Sequence, residues 1–117
     1  MRLDLYDRRY KVYDATRKFL AVIQSHAAFS DSQLFEFYAG TSDVEFLFDA
    51  DVVEFLTQIP KNAIEMRKHQ KVYEHLPVGD GRSRHVQADH DQSLRLGEQF
   101  TAMTKTFTPY LGFSHIK

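Results

Sequence analysis

Large apolar side chains recur three and four residues apart over three long stretches of this chain, and that period is the one an α-helix turns toward a single face. In the first, "LDLYDRRYKVYDATRKFL" (residues 3–20), Leu3, Tyr6, Tyr10, Tyr13 and Leu20 form a stripe flanked by Leu5, Val12 and Phe19, and the period continues through Ile23 to about Ala27. The second runs from Asp51 to Leu76 with Val52, Val53, Leu56, Ile59, Ala63, Met66, Tyr73 and Leu76; the third, about Asp89 to Tyr110, carries Leu94, Leu96, Phe100, Met103 and Phe107, with Leu111 just beyond. Helices of this length joined by short turns must bury their stripes against one another, so the expected fold is all-α, an antiparallel bundle of three to four main helices in one domain over 1–117. No pair of strand-like segments with turn chemistry competes with it.

Local signals place the breaks. Ser30 with Gln33 has capping-box spacing, and Phe29 before it with Leu34 after it fits a hydrophobic staple, so a short second helix should begin near Asp31. Gly40, Thr41 and Ser42 interrupt it; Ser42 and Glu45 repeat the capping spacing and predict a restart over about Val44–Phe48, after which Asp49 can cap the second long stretch. Pro60 lies inside that stretch, where its missing N–H predicts a kink near Leu56 or a division in two. "PVGDGRSRH" (residues 77–85) reads as the clearest loop, and Pro109 with Gly112 marks the end of the last helix. Asp4–Arg8, Asp7–Lys11 and Asp14–Lys18 set acid before base four residues apart, each pair stabilising a solvated helix face by a few tenths of a kcal/mol.

Composition removes several functions. Fifteen basic against sixteen acidic residues leave a formal charge of -1, without the cationic surface of a dedicated nucleic-acid binder. The absence of cysteine excludes thiolate catalysis, cysteine-zinc sites and disulfide scaffolds. No apolar run reaches the roughly 18–20 residues of a membrane span, and the first residues lack the apolar core of a signal peptide, so the expectation is a soluble, cytoplasmic chain. The five glycines form no phosphate-binding loop or dinucleotide fingerprint, no serine sits in a Gly-x-Ser-x-Gly setting, and no cofactor is expected.

Two groups of residues could carry chemistry. Glu65 and His69, four apart, can share a ligand face on a helix, although Arg67, Lys68 and Lys71 around them suit a solvated surface. His85, Asp89 and His90 cluster beside the expected loop and could bind zinc if a further ligand arrived from elsewhere; equally, Asp89 can cap the last helix. The same stretch, "RHVQADH" (residues 84–90), resembles the Arg-polar-x4-His motif of HEPN ribonucleases, which are all-helical and usually dimeric. That resemblance implies Arg84 on the scissile phosphate and His90 as acid or base, an alternative, metal-independent ribonuclease reading.

The tyrosines of the opening stripe prefer a boundary where the ring is buried and the hydroxyl is wet, so Tyr6, Tyr10 and Tyr13 are candidates for a dimer seam as well as for core. Together with "VEFLFDADVVEFL" and "FTPYLGF", the opening resembles an uncharacterised bacterial family of small helical proteins with Leu-Asp-Leu-aromatic-Asp-basic-Arg-aromatic starts. The resemblance covers both ends and the middle of the chain, and many members of that family look membrane-anchored, with a transmembrane segment just before the position of Leu3. The implication is either a soluble member or the soluble part of a longer protein. The leading expectation is a non-enzymatic helical module acting through protein contacts or self-association.

Overall fold

The computed structural model describes residues 2–111, and the side chains of all of these except Arg2, Leu3, Asp4 and Tyr73. The expectations resting on Leu3, the Asp4–Arg8 pair, Tyr73 and Gly112 lie outside the described residues. The chain forms α1 (Arg2–His26), α2 (Asp31–Gly40), one turn of helix α3 (Val44–Leu47), α4 (Ala50–Glu74) and α5 (Asp80–Leu111). The described residues contain no strand.

Cross-helix contacts define an antiparallel arrangement. Along α4 and α5, His69 meets His85, Gln70 meets Asp89, Met66 meets Ser93 and Asn62 meets Gln99. At the far end Asp51 meets Tyr110, so one helix descends as the other rises. Tyr13 packs edge-on against Phe107 while Gln24 lies beside Gly97, so α1 is antiparallel to α5. Phe37 stacks on Phe19 and Gly40 sits against Ala15, so α2 folds back along α1. The result is a rod, 58 × 26 × 24 Å, as three helices of 25 to 32 residues require at 1.5 Å per residue.

One core fills the rod. Val12, Phe19, Leu20 and Ile23 of α1, Phe37 of α2, Leu56, Ile59, Ala63 and Met66 of α4, and Leu96, Met103 and Phe107 of α5 are buried. Phe107 is at its aromatic centre, with the rings of Tyr13 and Phe48 each 5.3 Å away at steep angles, the edge-to-face geometry that aromatic quadrupoles favour. Thr16 is the fully buried polar side chain of α1, and its hydroxyl donates to the Val12 carbonyl at 2.8 Å, so burial leaves its donor satisfied. No described helix is long and apolar enough to cross a membrane.

The local signals fare unevenly. The Ser30 capping box forms in full: Gln33 N donates to Ser30 Oγ at 3.1 Å and Ser30 N to Gln33 Oε1 at 2.8 Å. The second, at Ser42 and Glu45, does not form. Ser42 Oγ turns back to the Ala39 carbonyl, and α3 starts after Asp43 without a side-chain cap. The carbonyl of Asp49, rather than its carboxylate, receives the first amides of α4, from Val52 and Val53. Helix α4 runs through Pro60 undivided, because the residues on either side of the lost hydrogen bond, Leu56, Ile59 and Ala63, are all locked into the core.

The expected 77–85 loop is the main correction. The turn between α4 and α5 spans only residues 75–79, and α5 starts nine residues before Asp89, so Asp89 caps nothing. Gly81 falls in the first turn, where amides have no intrahelical partner and glycine weakens little, and Asp80 there complements the positive end of the helix dipole.

Candidate functional site

The early start of α5 moves Arg84, His85, Asp89 and His90 from a loop onto the first three turns of a helix that faces the end of α4. Position by position, this separates one candidate pair and assembles another. Arg84 and His90 are both exposed, six residues apart on one straight helix. They therefore point a third of a turn away from each other and stand about 9 Å apart along the axis, so the two do not meet within one chain.

His85, by contrast, faces His69. The two Nδ1 atoms are 2.9 Å apart and the ring centres 5.1 Å apart, with the ring planes inclined at 41°. On the far side of the His69 ring, Nε2 lies 3.6 Å from Glu65 Oε2, within ion-pair distance and one turn back on α4. The carboxylate favours a proton on His69 Nε2, which leaves His69 Nδ1 as acceptor and makes His85 Nδ1 the donor. The His69 side chain keeps about a fifth of its surface open to solvent.

Polar contacts continue from this pair toward the rest of the bundle. Gln70 Nε2 donates to Asp89 Oδ1 at 3.1 Å and to the Ala27 carbonyl at 3.0 Å, joining α4, α5 and the end of α1. Arg67, one turn before Lys71 on α4, lays its guanidinium 4.0 Å over the Phe29 ring and bonds Asp31 through Nη1. That guanidinium holds the Asp31 carboxyl below its usual range. Thus Glu65 and His69, read as a solvated pair, and His85, read as part of a cluster with Asp89 and His90, share one place. His90 lies outside it, on the exposed side of α5. Among the described residues no three His, Asp or Glu side chains converge on one point.

The opposite end of the rod is closed by an aromatic and ionic clasp. Arg9 Nε donates to the Leu47 carbonyl at 2.9 Å, and its guanidinium lies 5.8 Å from the Phe48 ring and 5.4 Å from that of Tyr110. The Tyr110 hydroxyl donates to Asp51 Oδ1 at 2.7 Å and approaches Asp49 Oδ2 at 3.3 Å. That bond to Asp51, followed by partial loss of solvent and the charge of Asp49, pushes the phenol up to about 12.

The tyrosine stripe of α1 divides along its length. Tyr13 is half-buried on Phe107, whereas Tyr6 and Tyr10 stack on each other at the surface, 38 % and 41 % exposed. The more open apolar surface is elsewhere. A groove of about 400 Å³ between α2–α3 and α4 is lined by Tyr38, Val44, Leu56, Pro60 and Ile64, with Glu45 on one wall and Lys61 on the other. Phe46, next in the chain to Glu45, is 86 % exposed, and Phe35, one turn before Tyr38, is 73 % exposed. Sequence periodicity could not single these out, since Phe35 and Phe46 sit in short helices where every position is close to a core residue.

No protein-family model matches the chain, and neither a curated protein nor a solved structure is similar to it at a significant level.

Proposed function

We propose that this protein is a helical module that acts by self-association, through the face formed by α2, α3 and α4. The observation that carries this reading is an apolar groove lined in part by the exposed Tyr38 and Ile64, with Phe46, almost wholly in water, next in the chain to the groove residue Glu45. Exposed apolar side chains scattered singly need no explanation, but the exposed Tyr38 and Ile64 line one concave surface, and the exposed Phe46 follows its wall residue Glu45 in the chain.

The charges at the groove favour a second copy as its occupant. Glu45 and Lys61 stand on opposite walls. In a two-fold interface each residue meets the other's counterpart, so a symmetric dimer sets acid against base twice and presents each Phe46 to the facing groove. With a formal charge of -1, little long-range repulsion opposes the encounter.

Sedimentation equilibrium of the full chain tests this. The expected result is a concentration-dependent rise from 13.7 kDa toward twice that mass, abolished by Phe46→Glu and by Ile64→Glu without loss of helicity, and unchanged by Tyr10→Glu. A wild-type mass that stays monomeric at every concentration, or a dimer that survives Phe46→Glu, refutes it.

A further inference from the structure

The geometry points to a zinc-binding site at the α4–α5 end of the rod, in which His69 and His85 each supply Nδ1 to one divalent cation. It rests on none of the side chains named for the proposed dimer face and stands or falls separately from it.

Two imidazoles that bind one tetrahedral zinc at about 2.0–2.1 Å per bond have their nitrogens about 3.3 Å apart and their ring centres about 5.2 Å apart. Here the ring centres are 5.1 Å apart and the Nδ1 atoms 2.9 Å. The rings therefore already stand at the spacing of a bis-imidazole site. Entry of the ion requires each ring to pivot in place, opening the Nδ1 pair by about 0.4 Å, with no movement of the helices. The helices hold this spacing, since Gln70 bonds both Asp89 and the end of α1 one residue away from His69.

The tautomers also suit the ion. Both Nδ1 atoms must present a lone pair. Glu65 already favours Nε2–H on His69, the arrangement of a carboxylate behind a zinc-bound imidazole. His85 then exchanges its Nδ1 proton for one on Nε2 through solvent, and the hydrogen bond between the rings is replaced by two metal–nitrogen bonds. Solvent reaches His69 and fills the remaining positions with water, so the site is open rather than closed in the manner of a structural zinc centre. Imidazole ligands without thiolate select zinc, nickel or copper over magnesium or calcium.

Zinc chloride titrated into the full chain by isothermal calorimetry is expected to show one ion per chain. His69→Gln and His85→Gln should each abolish it, Glu65→Gln should weaken it about tenfold, and His90→Gln should leave it intact. Magnesium should give no heat. Long-range proton–nitrogen spectra of the wild-type protein, which need no variant to fold, should place the metal shift on Nδ1 of His69 and His85. Binding that survives loss of either histidine, or spectra in which zinc leaves both Nδ1 signals unmoved, would show a hydrogen bond between imidazoles only and overturn the site.

Discussion

Gly40, the last residue of α2, packs directly against Ala15 of α1, and a single methyl group there should be more than the interface can hold. A Cβ built on Gly40 meets Ala15 Cβ at 2.5 Å. Carbon atoms in contact settle at about 3.5–4.0 Å, and Ala15 Cβ is fixed to the backbone of α1 and cannot swing aside. Gly40→Ala must therefore push α1 and α2 apart by about 1 Å, which loosens the stack of Phe19 on Phe37, now at 5.0 Å. Overpacking of this kind costs about 1–3 kcal/mol, while alanine at a helix end recovers less than the roughly 1 kcal/mol it gains in a helix interior. The net expectation is a destabilisation of about 1–2 kcal/mol, which for a chain of this size lowers Tm by roughly 4–8 °C.

A rescue separates the clash from any general sensitivity of the site. Ala15→Gly alone should cost about 1 kcal/mol of helix propensity in α1. In the double variant the alanine at position 40 meets only Ala15's former Cα position, 3.9 Å away in the present structure, which is ordinary contact. The double variant should then be more stable than the sum of the single changes by about 1–2 kcal/mol, well beyond the scatter of independent sites. Urea denaturation followed by circular dichroism reads all four proteins. Gly40→Ala at or above wild-type stability, or single effects that simply add, would refute the close approach.

Three further outcomes follow from features elsewhere in the rod. Ala27 ends α1 with φ of 52°, a left-handed conformation costing a non-glycine residue about 1–2 kcal/mol, so Ala27→Gly should raise Tm once glycine's greater freedom in the unfolded chain is subtracted; a lower Tm counts against this. Phe107→Ala empties the centre of the aromatic core and should cost about 3–5 kcal/mol in denaturant titration, with a loss under 1 kcal/mol contradicting the packing described. The Tyr110 phenol is raised to about 12 from an ordinary value near 10, so its neutral form is favoured by folding; the stability it lends is present below pH 10 and is lost as pH climbs toward 12. Ultraviolet titration should show a phenolate step at about pH 12 that Tyr110→Phe removes, and a step that persists in that variant would assign it elsewhere.

Much of the architecture was written in the period of the apolar residues. In the stripes of α1, α4 and α5, Leu20 and Ile23, Ile59 and Met66, Leu96 and Phe107 are buried where spacing put them, whereas Leu5, Tyr6, Tyr10 and Leu94 are exposed. The start of α5 was not legible, because Pro77, Gly79, Asp80, Gly81 and Ser83 have the composition of a loop, yet Gly and Asp are also tolerated in a first helical turn. That single misplacement hides the histidine pair. A loop over 77–85 leaves His85 off any helix face, whereas the observed start of α5 at Asp80 puts it on a face that meets His69. Two candidates that are unremarkable alone thus become one site only when the turn is known to within a few residues.

The core's unequal reach along the rod has a consequence for how the protein opens. Among the residues whose burial is described, none between Met66 and Leu96 is buried, and α1 ends at His26 beside Gln70. The end of the α4–α5 hairpin is therefore two helices without a third, held by side-chain hydrogen bonds in place of a packed interior. Its amides should exchange with solvent through brief local openings, at free energies far below those needed to release the amides around Ile59 and Phe107. Stability should in effect be graded along the length of the molecule, highest around the packed core and lowest at the end of the hairpin. A cation gripped by His69 and His85 would tie shut the segment expected to open first, and the slowing of exchange at residues 69–89 would report its arrival.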